Sequence, residues 1–333
     1  MRIAAVLALA SVGPVAAAEP FRLIVTDLEP PLVPNSVMDL ALELGYFEKE
    51  GVEVELVRVQ QTPSAIAALR AGEGEMANIS VDSVLQLVGR DQIKMKAVVS
   101  PNKALPFIIA SQADITGPAE LEGRSFGVGR VGSLDHSLSS KVLQKNGADT
   151  AKLQFVAIGQ PNVRAQALAA GHVDATTMSV GVWMALPDKA GLHVLVDQHE
   201  YYSAAPVVQK VNVVTDAVLA ERREDVAAVV RALILISRDF AADPRKWVDA
   251  MAQARPNTPP ESLAQLATAF AGSWSVNGGL NRHELEFTMG WSYEGPDLAG
   301  VRRVDLSEWV DFSLVDEVLR AVGPVQGLDD AAR

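Results

Sequence analysis

The chain has 333 residues, of which 49% are hydrophobic, and its 41 acidic residues exceed its 29 basic ones by a net charge of −12. Nucleic-acid binding needs clustered Lys and Arg, so this acidity excludes a nucleic-acid partner. The sequence contains no cysteine, which excludes disulfides, thiol catalysis and thiolate metal sites.

The first eighteen residues have the pattern of a secretory signal peptide. Arg2 precedes a short apolar run over 3–12, and small residues lead to a predicted cleavage near Ala18. The alternative, a membrane anchor, needs about 20 apolar residues, and Gly13 interrupts this run too early. We therefore expect a soluble mature chain in the periplasm. It also lacks the cysteine to which a lipid anchor is usually attached.

Removing these eighteen of the 333 residues leaves 315, enough for two domains of about 150 residues each. Apolar runs alternate with helical periodicity along the first part of the chain. The expected strands cover 21–26, 52–59, 76–79 and 94–100, and the expected helices begin near Asn35, Thr62 and Asp82. This order predicts an α/β unit with a largely parallel sheet.

The same pattern restarts after Pro118. Strands are expected over 124–129, 153–158, 175–178 and 192–197, with helices over 133–145 and 162–170. After Asp216 the patterns are almost all helical, including 226–240 and 313–322. Because these helices lack the strands of another domain, we expect most of them to pack on the first one.

An internal repeat links the two units at an offset of 99 residues. Ala68–Gly72 precedes a segment ending in Ser80-Val81, and Ala167–Gly171 precedes one ending in Ser179-Val180. Either the similarity is a coincidence in an alanine-rich chain, or two lobes present matching strand ends. Ligands of open α/β sheets bind outside the carboxyl ends of strands, so facing ends would form a cleft.

Five segments together resemble the nitrate/sulfonate/thiamine-precursor family of periplasmic solute-binding proteins. They are 41–54, 68–78, 121–133, 167–175 and 223–226. The loop 29–34, with three prolines, departs from the polar first loop of that family, so no ligand signature can be transferred to it.

The resemblance implies a type II periplasmic-binding fold, with two βα lobes joined by two hinge strands and a ligand cleft between them. We expect lobe 1 to hold residues 19–104 and 213–328, lobe 2 residues 105–212, and a flexible tail 329–333. The resemblance also implies a monomer that delivers a small polar or anionic organic solute to an ABC permease and its ATPase. The alternative is a sensor that presents its ligand to a membrane receptor kinase. Sulfonates, carboxylates, oxyanions and pyrimidine precursors all remain open as ligands.

A glycine-rich turn over 127–132 fits G-x-G-x-x-G, follows a strand and opens a helix. No acidic residue ends the next strand, so a dinucleotide cofactor is not expected. The turn either presents backbone N–H groups of Gly132 and Ser133 to an anion or forms a plain capped helix start. We expect the acidic or most polar end of the ligand here.

The candidate ligand-binding residues lie at the predicted strand ends and helix starts of both lobes. Ser80 and Ser179 either contact ligand or cap helices, Trp183 either stacks on ligand or packs, and Arg164 is expected on a solvated helix face. The full candidate set is Asn35, Gln61, Ser80, Val81, Arg130, Gly132, Ser133, His136, Gln160, Asn162, Ser179 and Trp183.

Enzyme signatures are missing from the sequence. His283-Glu284 begins like a zinc-protease helix but lacks the second histidine, and no G-x-S-x-G motif occurs. The five histidines have no metal-ligand spacing. We expect neither a catalytic site nor a metal or other cofactor.

Overall fold

A computed structural model describes residues 19–102, 106–131 and 134–326. Ten strands form two five-stranded sheets. The strands are β1 Phe21–Val25, β2 Val54–Arg58, β3 Met76–Ser80, β4 Met95–Asn102, β5 Phe107–Gln112, β6 Ser125–Val128, β7 Gln154–Ala157, β8 Ala175–Ser179, β9 Leu192–Val196 and β10 Lys210–Thr215.

Fifteen α-helices of the described residues cover these sheets and build the carboxyl-terminal part. They are α1 Val37–Glu43, α2 Tyr46–Lys49, α3 Thr62–Arg70, α4 Val81–Gly89, α5 Leu134–Lys145, α6 Pro161–Ala169, α7 Val180–Ala185, α8 Gln198–Ala204, α9 Asp216–Glu221, α10 Arg223–Ala242, α11 Pro244–Ala254, α12 Pro260–Ala269, α13 Arg282–Ser292, α14 Leu306–Trp309 and α15 Ser313–Val322. None of the helices described is both long and apolar enough to cross a membrane.

The two sheets have the same topology, and each belongs to one lobe. The order is β2-β1-β3-β10-β4 in the first lobe and β7-β6-β8-β5-β9 in the second. In each, three parallel strands are followed by one strand that pairs antiparallel with both of its neighbours. Four of the five strands in each sheet therefore run in the same direction, as expected, and the sheets are mixed because β10 and β5 enter them from the other lobe.

The 99-residue repeat is a structural repeat. The elements α3, β3 and α4 each begin 99 residues before their counterparts α6, β8 and α7. The helices end in the same way, since Gly72 and Gly171 both have φ of +72°. The next residue then donates its N–H to the carbonyl oxygen of Ala68 in one lobe and of Ala167 in the other, both at 2.9 Å. Coincidence is excluded for this pair of segments.

Most of the carboxyl-terminal helices pack on the first lobe, as their lack of strands suggested. Buried Phe240, Trp247, Leu266 and Trp309 share a core with the first sheet. The long helix α10 buries an apolar stripe at a period of 3.6 residues, and Asp243 caps α11 directly after it. Helix α13 differs, because its Trp291 packs into the core of the second lobe.

Candidate ligand-binding site

Two segments connect the lobes, one between β4 and β5 and the other between α8 and β10. Ser80 and Ser179 occupy equivalent positions beside these connecting segments. Ser80 pairs with Lys210, the first residue of β10, and Ser179 pairs with Phe107, the first residue of β5. Each serine oxygen also accepts a backbone N–H three residues later, at 3.4 Å and 3.2 Å. Both therefore cap the helix that follows, and both lie where the chain crosses between lobes.

A cavity of about 530 Å³ opens at the carboxyl ends of β6, β7 and β8 in the second lobe. Parallel strands of an open sheet leave such a crevice outside their carboxyl ends. Gly129, Gly159 and Ser179 mark the three strand ends, and Phe107 and Gln209 reach it from the connecting segments. The cavity thus borders the hinge as well as the lobe.

Two opposite charges lie in the wall of this cavity. Arg164 is 4% exposed and lies 3.5 Å from Asp135, between guanidinium nitrogen and carboxylate oxygen. It also donates to Thr176 Oγ1 and to the carbonyl oxygens of Gly159 and Thr177. Burial lowers the pKa of Arg164, while the charge of Asp135 opposes this shift. The guanidinium is thus committed largely to its own lobe.

The remaining wall is mainly apolar and aromatic. Phe107 and Tyr201 pack with ring centroids 5.7 Å apart, beside Leu138 and Met178. Tyr201 is 2% exposed, and its hydroxyl lies near the hydroxyls of Thr177 and Ser139. Burial raises the pKa of Tyr201, while these two hydroxyls oppose the shift. The aromatic wall therefore carries a buried polar group.

A second cavity of about 200 Å³ lies beside Ser80 in the first lobe. Val81, Lys210 and Gln209 line it, together with Asp82, whose carboxylate accepts a hydrogen bond from Ser292. Burial raises the pKa of Asp82. Gln209 also lines the larger cavity, so the two spaces share a wall residue just before β10.

The structure brings together four of the twelve candidate residues. Gln160 and Ser179 line the larger cavity, and Ser80 and Val81 line the smaller one. Gly132 and Ser133 lie outside the described residues. The other six do not line either of these two cavities: Asn35, Gln61, Arg130, His136, Asn162 and Trp183.

Several of these six have structural surroundings instead. Asn35 is buried and donates to Asp27. The ring of His136 packs edge-on against Phe155 at 4.3 Å, and Trp183 packs on an apolar cluster of the second lobe. Gln61, Arg130 and Asn162 are exposed.

Most residues that line the cavities were not candidates from the sequence, among them Phe107, Asp135, Tyr201, Gln209 and Lys210. Sequence reasoning also placed Arg164 on a solvated face, and this placement is wrong. The repeat held the signal, because position 164 corresponds to Ala65, which is fully buried. A charged residue at a repeat position that is buried in the other lobe indicates a buried ion pair or a site. The other missed residues include Phe107, Gln209 and Lys210, which lie in or directly next to the connecting segments. Local periodicity there does not indicate a binding site.

Comparison with known families identifies the class of this chain. The model of the NMT1/THI5-like family matches residues 37–246, which is more than half of the chain. The protein therefore belongs to the NMT1/THI5-like family. No curated protein sequence matches it.

Solved structures with the same fold include periplasmic binding proteins. The sulfonate-binding protein SsuA from Methylobacillus flagellatus aligns with a TM-score of 0.72 at 14% identity, covering 91% of this chain and 94% of that one. The aliphatic sulphonate-binding protein SsuA from Escherichia coli aligns at 0.68 and 16%, covering 89% and 92%. A mutant of DSZB in complex with biphenyl-2-sulfinic acid aligns at 0.64 and 16%, covering 90% and 99%. At these identities the likeness defines the fold, which is that of two-lobed periplasmic binding proteins.

Proposed function

We propose that this protein is the solute-binding component of an ABC importer. It captures a small polar or anionic organic solute between its lobes in the periplasm and delivers it, as a monomer, to a membrane permease and its ATPase. The observation that carries the proposal is the pair of cavities at the equivalent strand ends of Ser80 and Ser179, which share Gln209 as a lining residue.

The arrangement favours binding by closure around a solute. Ligand contacts on both sides of a hinge exist only in the closed state, so binding energy favours closure. Ser80, Ser179, Gln160 and Gln209 supply polar groups, and Phe107 and Tyr201 supply an apolar wall. Such a mixture of apolar surface and a few placed polar groups is typical of small-molecule sites.

Binding without catalysis fits the chemistry of the cavity wall. Its strongest acid–base groups, Arg164 and Asp135, bond to each other and to their own lobe. Among the residues described, no group of three or more His, Cys, Asp or Glu side chains is arranged to hold a metal ion. We therefore propose that the protein is not an enzyme.

The experiment is a thermal-shift screen of the mature protein against alkanesulfonates, carboxylates, nitrate and pyrimidines, followed by calorimetry of each hit. A solute at 100 times its Kd stabilises the fold by about 2.7 kcal/mol. The blocking variant is Gln160→Trp, because Gln160 lines the larger cavity, is exposed and makes no side-chain cap to α6. We expect it to weaken binding at least tenfold.

The matched control is Gln253→Trp, which places the same side chain on the exposed side of α11. It should bind like the parent protein. The proposal fails if no solute of the panel stabilises the protein, or if Gln160→Trp binds every hit as the parent does.

A further inference from the structure

Lys210 is a half-buried cation at the point where the second connecting segment enters the first sheet. Lys210 is one of the residues that line the smaller cavity, next to Gln209, which lines both cavities. The ammonium Nζ donates to Thr26 Oγ1 at 2.7 Å, and Thr26 directly follows β1. An ammonium has three N–H donors, so this single neutral acceptor leaves donors available.

No carboxylate lies within 4 Å of Lys210 Nζ in the part of the chain that the structure describes. Asp27 is the nearby acid whose charge opposes the effect of burial, which on balance lowers the pKa of Lys210. Asp82, the other charged residue of the smaller cavity, accepts from Ser292 on α13. The cation at the floor of the cleft thus lacks a bonded counter-charge.

The other cationic group near the cavities differs in this respect. Arg164 has Asp135 as its ion partner. Asp135 also accepts the backbone N–H of Gly129 at 2.7 Å, in the glycine-rich turn. A carboxylate of the protein already complements the positive end of α5 there. Arg164 and the N–H of Gly129 thus already have a carboxylate of the protein beside them.

We propose that Lys210 is the residue that selects for an acidic group on the ligand, so that the solute is an organic acid with a carboxylate or sulfonate at Lys210 and an apolar body directed past Gln209 into the larger cavity. This inference rests on the proposed function, since it names the ligand charge that the same cleft recognises. Charge-assisted hydrogen bonds from a half-buried ammonium are stronger than neutral ones, which gives the discrimination.

The test compares acids with uncharged analogues of the same shape. The probes are butane-1-sulfonate, pentanoate and benzoate against butane-1-sulfonamide, pentanamide and benzamide, titrated by calorimetry. In the parent protein we expect at least one acid to bind ten- to a hundredfold more tightly than its amide, as hydrogen bonds to charged groups are worth roughly this factor. Lys210→Met should reduce that ratio to about one, and Lys210→Arg should keep most of it.

Lys96→Met is the matched control. Lys96 lies in the same sheet and is also partly buried, but its ammonium donates to the carbonyl oxygens of Ser307 and Glu308 instead. It should leave the ratio unchanged. Circular dichroism confirms that each variant is folded.

Each outcome is decisive. If Lys210→Met keeps the preference for acids, the acidic group binds elsewhere and the proposal is overturned. If only amides or other neutral solutes bind, the proposal is overturned while the proposed function stands. If neither the acids, the amides nor the wider screening panel binds, the proposed function fails and this inference fails with it.

Discussion

Arg164 shows how a single residue of this protein combines charge, burial and a position in the repeat. Its side chain has 5% of its surface exposed, and its three nitrogens reach acceptors on two neighbouring segments of the second lobe. The counterpart in the first lobe is Ala65, a small core residue. At this repeat position the first lobe has apolar packing, whereas the second lobe has a hydrogen-bonded ion pair at the wall of its cavity.

At this scale we predict that Arg164→Met lowers the free energy of unfolding by about 3 kcal/mol. Removing one partner of a buried pair leaves Asp135 and two carbonyl oxygens with lost bonds, and such losses are expensive in a low-dielectric interior. Urea denaturation followed by circular dichroism measures the change.

Arg245→Met provides the comparison for an exposed arginine. Its side chain is 86% exposed and pairs with Asp243, so its loss should leave the free energy of unfolding almost unchanged. Equal effects of the two substitutions would show that the Arg164 bonds contribute no more than a surface pair.

The helix–strand unit that occurs once in each lobe is the element that positions the site. Glu75 and Asp174 tie its strand to a neighbouring strand of the sheet, because each accepts a backbone N–H from the start of β1 or β6. Burial acts to raise the pKa of Asp174, but hydrogen bonds from Ser125 and the charge of Arg124 lower it on balance. The two units thus hold Ser80 and Ser179 at equivalent strand ends by equivalent contacts.

For this element we predict that Gly72→Ala and Gly171→Ala each lower the free energy of unfolding by about 1 kcal/mol. A Cβ at either position meets no atom within 4 Å, so the left-handed backbone alone causes the loss. Gly290→Ala is the control, because Gly290 lies inside α13 with open space around it. It should raise stability by up to about 1 kcal/mol. Loss of stability in Gly290→Ala alone would contradict this account.

Local patterns predicted β1 to β4 and β6 to β9 within a few residues, because each has an apolar or alternating run in the sequence next to a helical pattern. They did not predict β5 and β10. Ile108 to Ser111 are all buried, and so are Val211 to Val214, so burial does not alternate along either strand. Their antiparallel direction also depends on which lobe the chain has just left, which no local pattern records. Lys210 and Phe107, at the starts of these strands, were missed for the same reason.

At the scale of the whole molecule, the lobes touch beyond the two connecting segments. Met184 of α7 packs against the core of the first lobe, and Trp291 of α13 packs into the core of the second. Gln198 donates to the carbonyl oxygen of Ala269 at 2.8 Å, and Lys141 pairs with Glu294 at 2.8 Å. Helices α7 and α12 also contact each other, so we expect closing or opening of the cleft to change their packing.

This contact can be tested at Gly181, where a built Cβ lies 3.5 Å from Leu266 of α12. We predict that Gly181→Leu wedges the two helices apart and shifts the lobes toward a more open arrangement. Only the closed state contacts a solute from both sides. The affinity of the protein for a solute should therefore fall in proportion to the loss of closed molecules. We expect a larger radius of gyration in small-angle X-ray scattering and at least fivefold weaker binding of any solute found by the screen.

Gly117→Leu adds the same side chain where a built Cβ meets nothing within 4 Å, and it should match the parent in both measurements. If Gly181→Leu also matches the parent in both, the α7–α12 contact takes no part in closure, and the lobes must move about the connecting segments without disturbing it.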